Sequence, residues 1–209
     1  MSNKTHDRTG PAPELNIVET RSLSEGWARL SRVTFDLRRH DGELQRHVHE
    51  IHDHGSAVAM LPYNRETGSV VLIRQFRLPP WLMGERIRMW EAPAGLLDGD
   101  ETPEDCARRE IIEETGYKAL RLIPLGRAYA SPGSLTECMY LFLAEIGPEA
   151  EPGAGGGLAE EGEDIEVFEL PLAEALEMID QGVIIDAKTQ LLLRSLQVRL
   201  AGGRDQESA

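Results

Sequence analysis

The sequence predicts an α/β domain preceded by antiparallel strands. Three features carry that expectation: period-two alternation near the N-terminus, short continuous apolar runs in the middle, and amphipathic helical patterns in the second half. A chain of 209 residues can bury one substantial core but hardly two. Its 41% hydrophobic and 28% charged residues are ordinary for a globular domain.

Residues 1–14 (MSNKTHDRTGPAPE) are polar and broken by prolines, which predicts a flexible N-terminus. From Leu15 to about residue 55 the pattern is strand-like. Val33, Phe35 and Leu37 alternate with polar neighbours, and Asp41-Gly42 supplies the backbone freedom of a tight hairpin turn. Two further strands are expected over Ala57–Leu61 and Val70–Phe76, whose nearly continuous apolar runs suit strands covered on both faces. A helix is expected over Glu101–Thr115, with Thr102 as N-cap, Pro103 in the first helical position and Gly116 closing it. Strands near Leu120–Tyr129 and Met139–Ala144 follow. The Gly- and Glu-rich stretch Gly147–Asp164 reads as a mobile loop, and a strand over Ile165–Leu170 leads to helices over Leu172–Gln181 and Asp186–Leu200. The domain is thus placed at residues 56–201, with a frayed tail over 202–209.

The formal net charge of −14 disfavours a protein that grips long nucleic acid by its phosphates. It does not disfavour a phosphate ligand, because divalent cations can stand between two sets of negative charge. No apolar run resembles a signal peptide or reaches the ~18 residues of a membrane span, so a cytoplasmic enzyme or binding domain is expected. Cys106 and Cys138 give neither a disulfide framework nor a metal spacing. His47, His49, His52 and His54 form i,i+2 pairs on strand faces, but no cysteine joins them to make a zinc site.

Gly95–Tyr117 (GLLDGDETPEDCARREIIEETGY) carries the chemistry. On a helix, Glu110, Glu113 and Glu114 fall within one face about 100° wide. Carboxylates at that density repel unless a cation neutralises them, and their hard oxygens suit Mg²⁺ or Mn²⁺. Ala107 and Ile111 form an adjacent stripe able to bury. Clustered glutamates on a helix are most often only a solvated face, but this spacing is specific.

The segment resembles the Nudix box, G-x5-E-x7-R-E-U-x-E-E-x-G-U, with U a bulky apolar or aromatic residue. Gly95, Glu101, Arg109, Glu110, Ile111, Glu113, Glu114, Gly116 and Tyr117 fill its fixed positions. The resemblance implies an α/β/α sandwich with a mixed sheet, and hydrolysis of a diphosphate with the aid of Mg²⁺, with Mn²⁺ as the alternative cation. It implies that Glu110 and Glu114 are the main metal ligands, that Glu113 contributes, and that the backbone carbonyl of Ala94 joins them. Glu101 and Arg109 would pair to orient the ligands.

The likeness extends from Trp27 to Leu193. RQFR (Arg74–Arg77), EAPAG (Glu91–Gly95), SPGSLTE (Ser131–Glu137) and EEGEDIEV (Glu160–Val167) resemble the nucleotide-sugar and ADP-ribose pyrophosphatases of that family. GAGGG (Gly153–Gly157), EDIEVFELP and DAKTQLLL (Asp186–Leu193) are most similar to its GDP-mannose-cleaving branch. That branch implies release of GMP and mannose 1-phosphate, with ADP-ribose as the alternative substrate. It implies that Arg77 and Lys188 hold the substrate, that Glu163 is a further metal ligand, and that Trp27 stacks on the base. It also implies a homodimer formed by the N-terminal strands, in which Trp27 and Val48-His49-Glu50 complete the partner's site. Val48 and His49 stand where the branch has two basic residues. Two glutamates are candidates for the general base, Glu137 at the end of SPGSLTE and Glu161 on the acidic loop. Rival readings are a silent nucleotide-sensing Nudix domain, disfavoured because every box glutamate is present, and a nucleoside triphosphate or dinucleoside polyphosphate hydrolase, which needs neither the N-terminal strands nor the acidic loop.

Overall fold

The computed structural model describes residues 12–147, 155–158 and 162–202. The chain divides into two units, one of residues 1–54 with 131–136, the other of residues 55–130 with 137–209.

The first unit is a three-stranded antiparallel sheet of β1 (Leu15–Glu25), β2 (Arg29–Arg38) and β3 (Leu44–Asp53), in that order. The β2–β3 hairpin closes at Asp41-Gly42, where Gly42 takes φ 89° and Arg39 N–H donates to the Glu43 carbonyl at 2.8 Å. Residues 131–136 join the far end of β3, with His52 and Ser134 bonded at 2.8 Å and Thr136 donating back to His52 at 3.1 Å. Leu15, Ile17, Val18, Leu44 and Val48 of this sheet are exposed.

In the second unit a mixed sheet runs in the order β10-β5-β4-β9-β8. Its strands are β4 (Ala57–Asn64), β5 (Ser69–Gln75), β8 (Arg121–Tyr129), β9 (Cys138–Ile146) and β10 (Glu166–Pro171). β4 and β9 pair in parallel, and the other neighbours in that order are antiparallel. β4 is buried along its whole length, and its alternate residues define two cores. Ala59, Leu61 and Tyr63 pack on the side of α3 (Leu172–Asp180) and α4 (Ala187–Ala201), with Ala175, Leu192, Leu193 and Leu196. Val58 and Met60 pack on the side of α2 (Pro103–Thr115), with Cys106, Ala107 and Ile111. Helices therefore cover both faces, giving the expected α/β/α layering. Among the described residues no helix is long and apolar enough to cross a membrane.

α2 begins at Pro103 rather than Glu101. Thr102 is extended (φ −75°, ψ 153°) and its side chain accepts the Asp105 N–H, which leaves Glu101 outside the helix. Gly116 ends it at φ 75°, a left-handed conformation open to glycine. Three elements between residues 77 and 97 give no periodic signal because they are too short: α1 (Leu78–Leu82), β6 (Met89–Glu91) and β7 (Ala94–Leu96). β6 adds to β5 and β7 to β4, so the chain crosses the sheet just before α2.

Candidate active site

The site is organised by the docking of α2 onto β7. Cys106, Ala107 and Ile111 are fully buried against the sheet, which fixes the rotation of the helix and turns Glu110 and Glu114 toward β7. Glu114 is 1% exposed, and its Oε2 accepts the Ala94 N–H at 2.9 Å. Glu110 lies against Gly95 so closely that a Cβ at position 95 would stand 1.8 Å from its Oε1. Gly95 is thus required by the approach of a carboxylate.

Burial pushes the Glu114 carboxyl well above the usual carboxylate range, and the charges of Glu110 and Glu163 push it further, against the Ala94 N–H and Arg77. Burial also raises Glu110, where Glu113 and Glu163 add to the effect and Arg109 opposes it. Glu110, Glu114 and Glu163 therefore share one electrostatic neighbourhood.

Arg109 spans three carboxylates. Its Nε and Nη2 donate to both oxygens of Glu101 (3.1 and 3.0 Å), and its Nη1 donates to Glu110 (2.7 Å) and Glu113 (2.9 Å). The hydrogen bonds to Glu101 are the largest cause of a guanidinium pKa raised above its ordinary value, so this cation is permanent. The sequence predicts the pairing with Glu101; the reach to Glu110 and Glu113 emerges only in the fold.

The described part of the acidic loop is tied to the end of α2. Gly156 N–H donates to the Glu114 carbonyl (2.8 Å) and Gly157 N–H to the Glu113 carbonyl (3.0 Å), satisfying acceptors that a helix end leaves unpaired. A Cβ at Gly155 would lie 2.4 Å from the carbonyl carbon of Thr115. The glycines allow backbone to lie on backbone, so residues 155–158 are anchored where their composition predicts mobility. Glu163 is held in the same turn, its Oε2 accepting the Leu158 N–H at 2.8 Å. Arg88 Nη2 binds Asp164 at 2.6 Å beyond it. Glu161 lies outside the described residues.

Arg77 and Lys188 meet on Glu91, a residue to which the sequence assigns no role. Arg77 Nε and Nη2 bind the two Glu91 oxygens at 2.8 and 3.1 Å, and Lys188 Nζ binds Glu91 Oε2 at 2.6 Å and Asp186 at 3.1 Å. Burial would raise the Glu91 carboxyl, but Lys188 and Arg77 outweigh it and hold it below its usual range. A carboxylate inside the apolar run MWEAPAG is the available signal, since a buried charge requires partners. Arg74 of the same motif is occupied structurally, bound to Glu166 at 3.0 and 2.9 Å and stacked over Trp90 and Phe168.

Glu137 is half-buried immediately before β9, and its carbonyl accepts the Ala130 N–H at 3.4 Å. Trp27, Val48, His49 and Glu50 all lie in the first unit. Trp27, 78% exposed in the β1–β2 turn, stacks on His54 with ring centres 5.2 Å apart. Val48 is exposed, His49 meets Phe35 edge-on, and Glu50 pairs with Arg32 at 2.7 Å. The histidines of β3 contact aromatic rings and one another.

Among the described residues no three acidic, histidine or cysteine side chains form a finished metal-ligand set. One Glu110 oxygen is taken by Arg109 and one Glu114 oxygen by the Ala94 N–H. The donor chemistry nevertheless fits a hard divalent cation: buried and half-buried carboxylates of like charge whose ionised forms the protein alone disfavours.

A NUDIX domain model matches residues 53–189, and a model of the GDP-mannose pyrophosphatase NudK N-terminal domain matches residues 14–52. The GDP-mannose pyrophosphatase of Cronobacter sakazakii is 50% identical over 186 residues, covering 88% of this chain and 96% of the relative. That of Shigella flexneri is 47% identical with the same coverage. That of Escherichia coli O9:H4 is 46% identical over 185 residues, covering 88% of this chain and 95% of the relative. A crystal structure of an ADP compounds hydrolase shares the fold, with a TM-score of 0.71 at 21% identity, over 91% of this chain and 96% of that one.

The packing of Gly155 on the helix end generates a test. Gly155→Ala forces the loop from α2 and should lower stability by about 1–3 kcal/mol, as overpacking does. If Glu163 is the metal ligand that the resemblance implies, the substitution should also reduce turnover, because Glu163 is hydrogen-bonded to Leu158 of that loop. Gly147→Ala, at the start of the same connection, meets only Leu120 Cδ1 at 3.5 Å and should change neither. Urea unfolding and steady-state kinetics of the two variants check this.

Proposed function

Because this chain belongs to the Nudix family of hydrolases, we propose that it hydrolyses the diphosphate of GDP-mannose to GMP and mannose 1-phosphate. The carrying observation is its 46–50% identity with GDP-mannose pyrophosphatases over almost their entire length, together with the match to the N-terminal domain of that enzyme. The site chemistry agrees: acidic side chains on one helix face for a divalent cation, and a pair of cations suited to a diphosphate.

We assign the cation, Mg²⁺ or Mn²⁺, to Glu110, Glu114, Glu163 and the Ala94 carbonyl. When bound, it neutralises charge on the diphosphate and lowers the barrier to attack of water on phosphorus. Arg109 positions the carboxylates of Glu110 and Glu113, and Glu101 holds Arg109 in register. Arg77 and Lys188 bind the negatively charged part of the substrate. Glu137 accepts the proton of the attacking water, since a residue beside a strand is held more firmly than one on a glycine-rich loop.

We further assign a homodimer built on the three-stranded sheet, whose exposed Leu15, Ile17, Val18 and Val48 are apolar surface of the kind that associates. In it Trp27 and Val48-His49-Glu50 of each copy serve the site of the other.

Four outcomes are expected. In a panel of nucleotide sugars and nucleoside triphosphates, GDP-mannose should show the highest kcat/KM, and Glu114→Gln should lower kcat by at least ~10²-fold. ADP-ribose or dGTP outperforming it tenfold overturns the substrate. For the base, single-turnover rates of Glu137→Gln should fall ~10²–10⁴-fold with affinity kept. A threefold change or less, with collapse of Glu161→Gln, moves the role to Glu161. For the dimer, with substrate held well below the wild-type KM so that Trp27→Ala is nearly silent, mixing Glu114→Gln with Trp27→Ala subunits should restore about a quarter of wild-type activity, because half the dimers carry one complete site. No recovery after subunit exchange refutes shared sites.

A further inference from the structure

We propose that Glu91 is a positioning residue that holds Arg77 and Lys188 together as one preformed pair for the substrate's diphosphate. The inference rests on the reading that those two cations bind substrate, and adds the residue through which they act together.

The two cations come from distant parts of the chain. Arg77 precedes α1, and Lys188 lies in the first turn of α4. Each would be a long, flexible side chain if left alone. Glu91 fixes both with a single carboxylate: Oε1 takes Arg77 Nε, and Oε2 takes both Arg77 Nη2 and Lys188 Nζ, at 2.6–3.1 Å. The carboxylate side chain is 4% exposed, whereas the Arg77 side chain is 43% exposed. A guanidinium has five N–H donors, and Glu91 engages those of Nε and Nη2, so Arg77 is held by one edge while a large part of it still faces solvent.

The mount is itself rigid. Thr189 Oγ1 accepts the Ala92 N–H at 2.6 Å and donates to Asp186 at 2.5 Å, so the strand bearing Glu91 and the helix bearing Lys188 are stitched beside the carboxylate. Asp186 caps α4 through the Thr189 N–H at 3.0 Å and also binds Lys188 Nζ. Two carboxylates thus face two cations, with Lys188 13% and Asp186 19% exposed and Arg77 the member open to solvent. The ordering cost of two long cationic side chains is met on folding rather than at substrate binding, which preserves affinity.

The test uses the full-length chain. Glu91→Gln keeps the shape but turns one acceptor oxygen into a donor, so one cation loses its anchor. It should raise KM for GDP-mannose at least about tenfold while kcat stays within threefold, and raise Kd in EDTA, measured by calorimetry without turnover, by the same factor. Glu91→Asp, which keeps the charge but is one methylene shorter, should show a smaller rise, and it carries the test should Glu91→Gln fail to fold. Lys188→Met should cost less in the Glu91→Gln background than in wild type, because the two act as a unit. If Arg77→Ala and Lys188→Met weaken binding tenfold while both Glu91 variants remain within threefold of wild type, the positioning role is overturned and the substrate reading stands. If Arg77→Ala and Lys188→Met themselves bind like wild type, the substrate reading fails first. A fall in melting temperature with KM and Kd unchanged reduces Glu91 to a stabilising ion pair and also overturns the proposal.

Discussion

The cost of keeping negative charge out of water governs this structure. Glu91 and Glu114 are the same residue type, 3% and 1% exposed, yet the protein treats them in opposite ways. Glu91 receives an arginine and a lysine, and its proton is held more weakly than usual. Glu114 receives one backbone N–H and faces two other carboxylates, and its proton is held more tightly. It also lies in the last turn of α2, where the helix dipole disfavours an anion. An acidic group kept in so unfavourable a place is an invitation to an external cation. Where the chain supplies the compensating charge, it builds a rigid mount; where it supplies little, it leaves a carboxyl whose ionised form the protein alone disfavours.

The supporting elements follow from that division. α2 must be locked in rotation or its carboxylates would swing toward water, and Ile111 and Ala107 lock it against the sheet. Gly95 must lack a side chain or Glu110 could not approach β7. Arg109 spreads its charge over Glu101, Glu110 and Glu113, which tempers repulsion on the helix surface without reaching the buried Glu114.

Much of this is readable from the residues. Thr102, Pro103 and Gly116 bound α2, and the spacing of Glu110, Glu113 and Glu114 places them on one face, because both depend on local geometry. The two-sided burial of β4 follows from its apolar run, and the layering from the family pattern. Contacts between residues distant in sequence are not legible. Nothing local marks Glu91 as the meeting point of residues 77 and 188, since a single carboxylate has no periodicity. Gly155–Gly157 mislead for a related reason. Glycine signals both freedom and close approach, and only the neighbour, here the end of α2, decides which applies.

The pairing of Glu91 with Lys188 joins residues 97 positions apart, and it bears on how the protein is made. During synthesis β6 and the whole of α2 leave the ribosome well before α4. Until then Glu91 lacks one of its two cations, β6 lacks the Thr189 stitch, and one side of the central sheet has only α3 as helical cover. The nascent chain therefore carries every acidic residue of the box before Glu91 has gained its second cation, Lys188. The mount around Glu91 closes only with the last helix, so a ribosome stalled short of α4, or a protease that clips it, leaves a chain with every box glutamate in place and a buried carboxylate short of one partner.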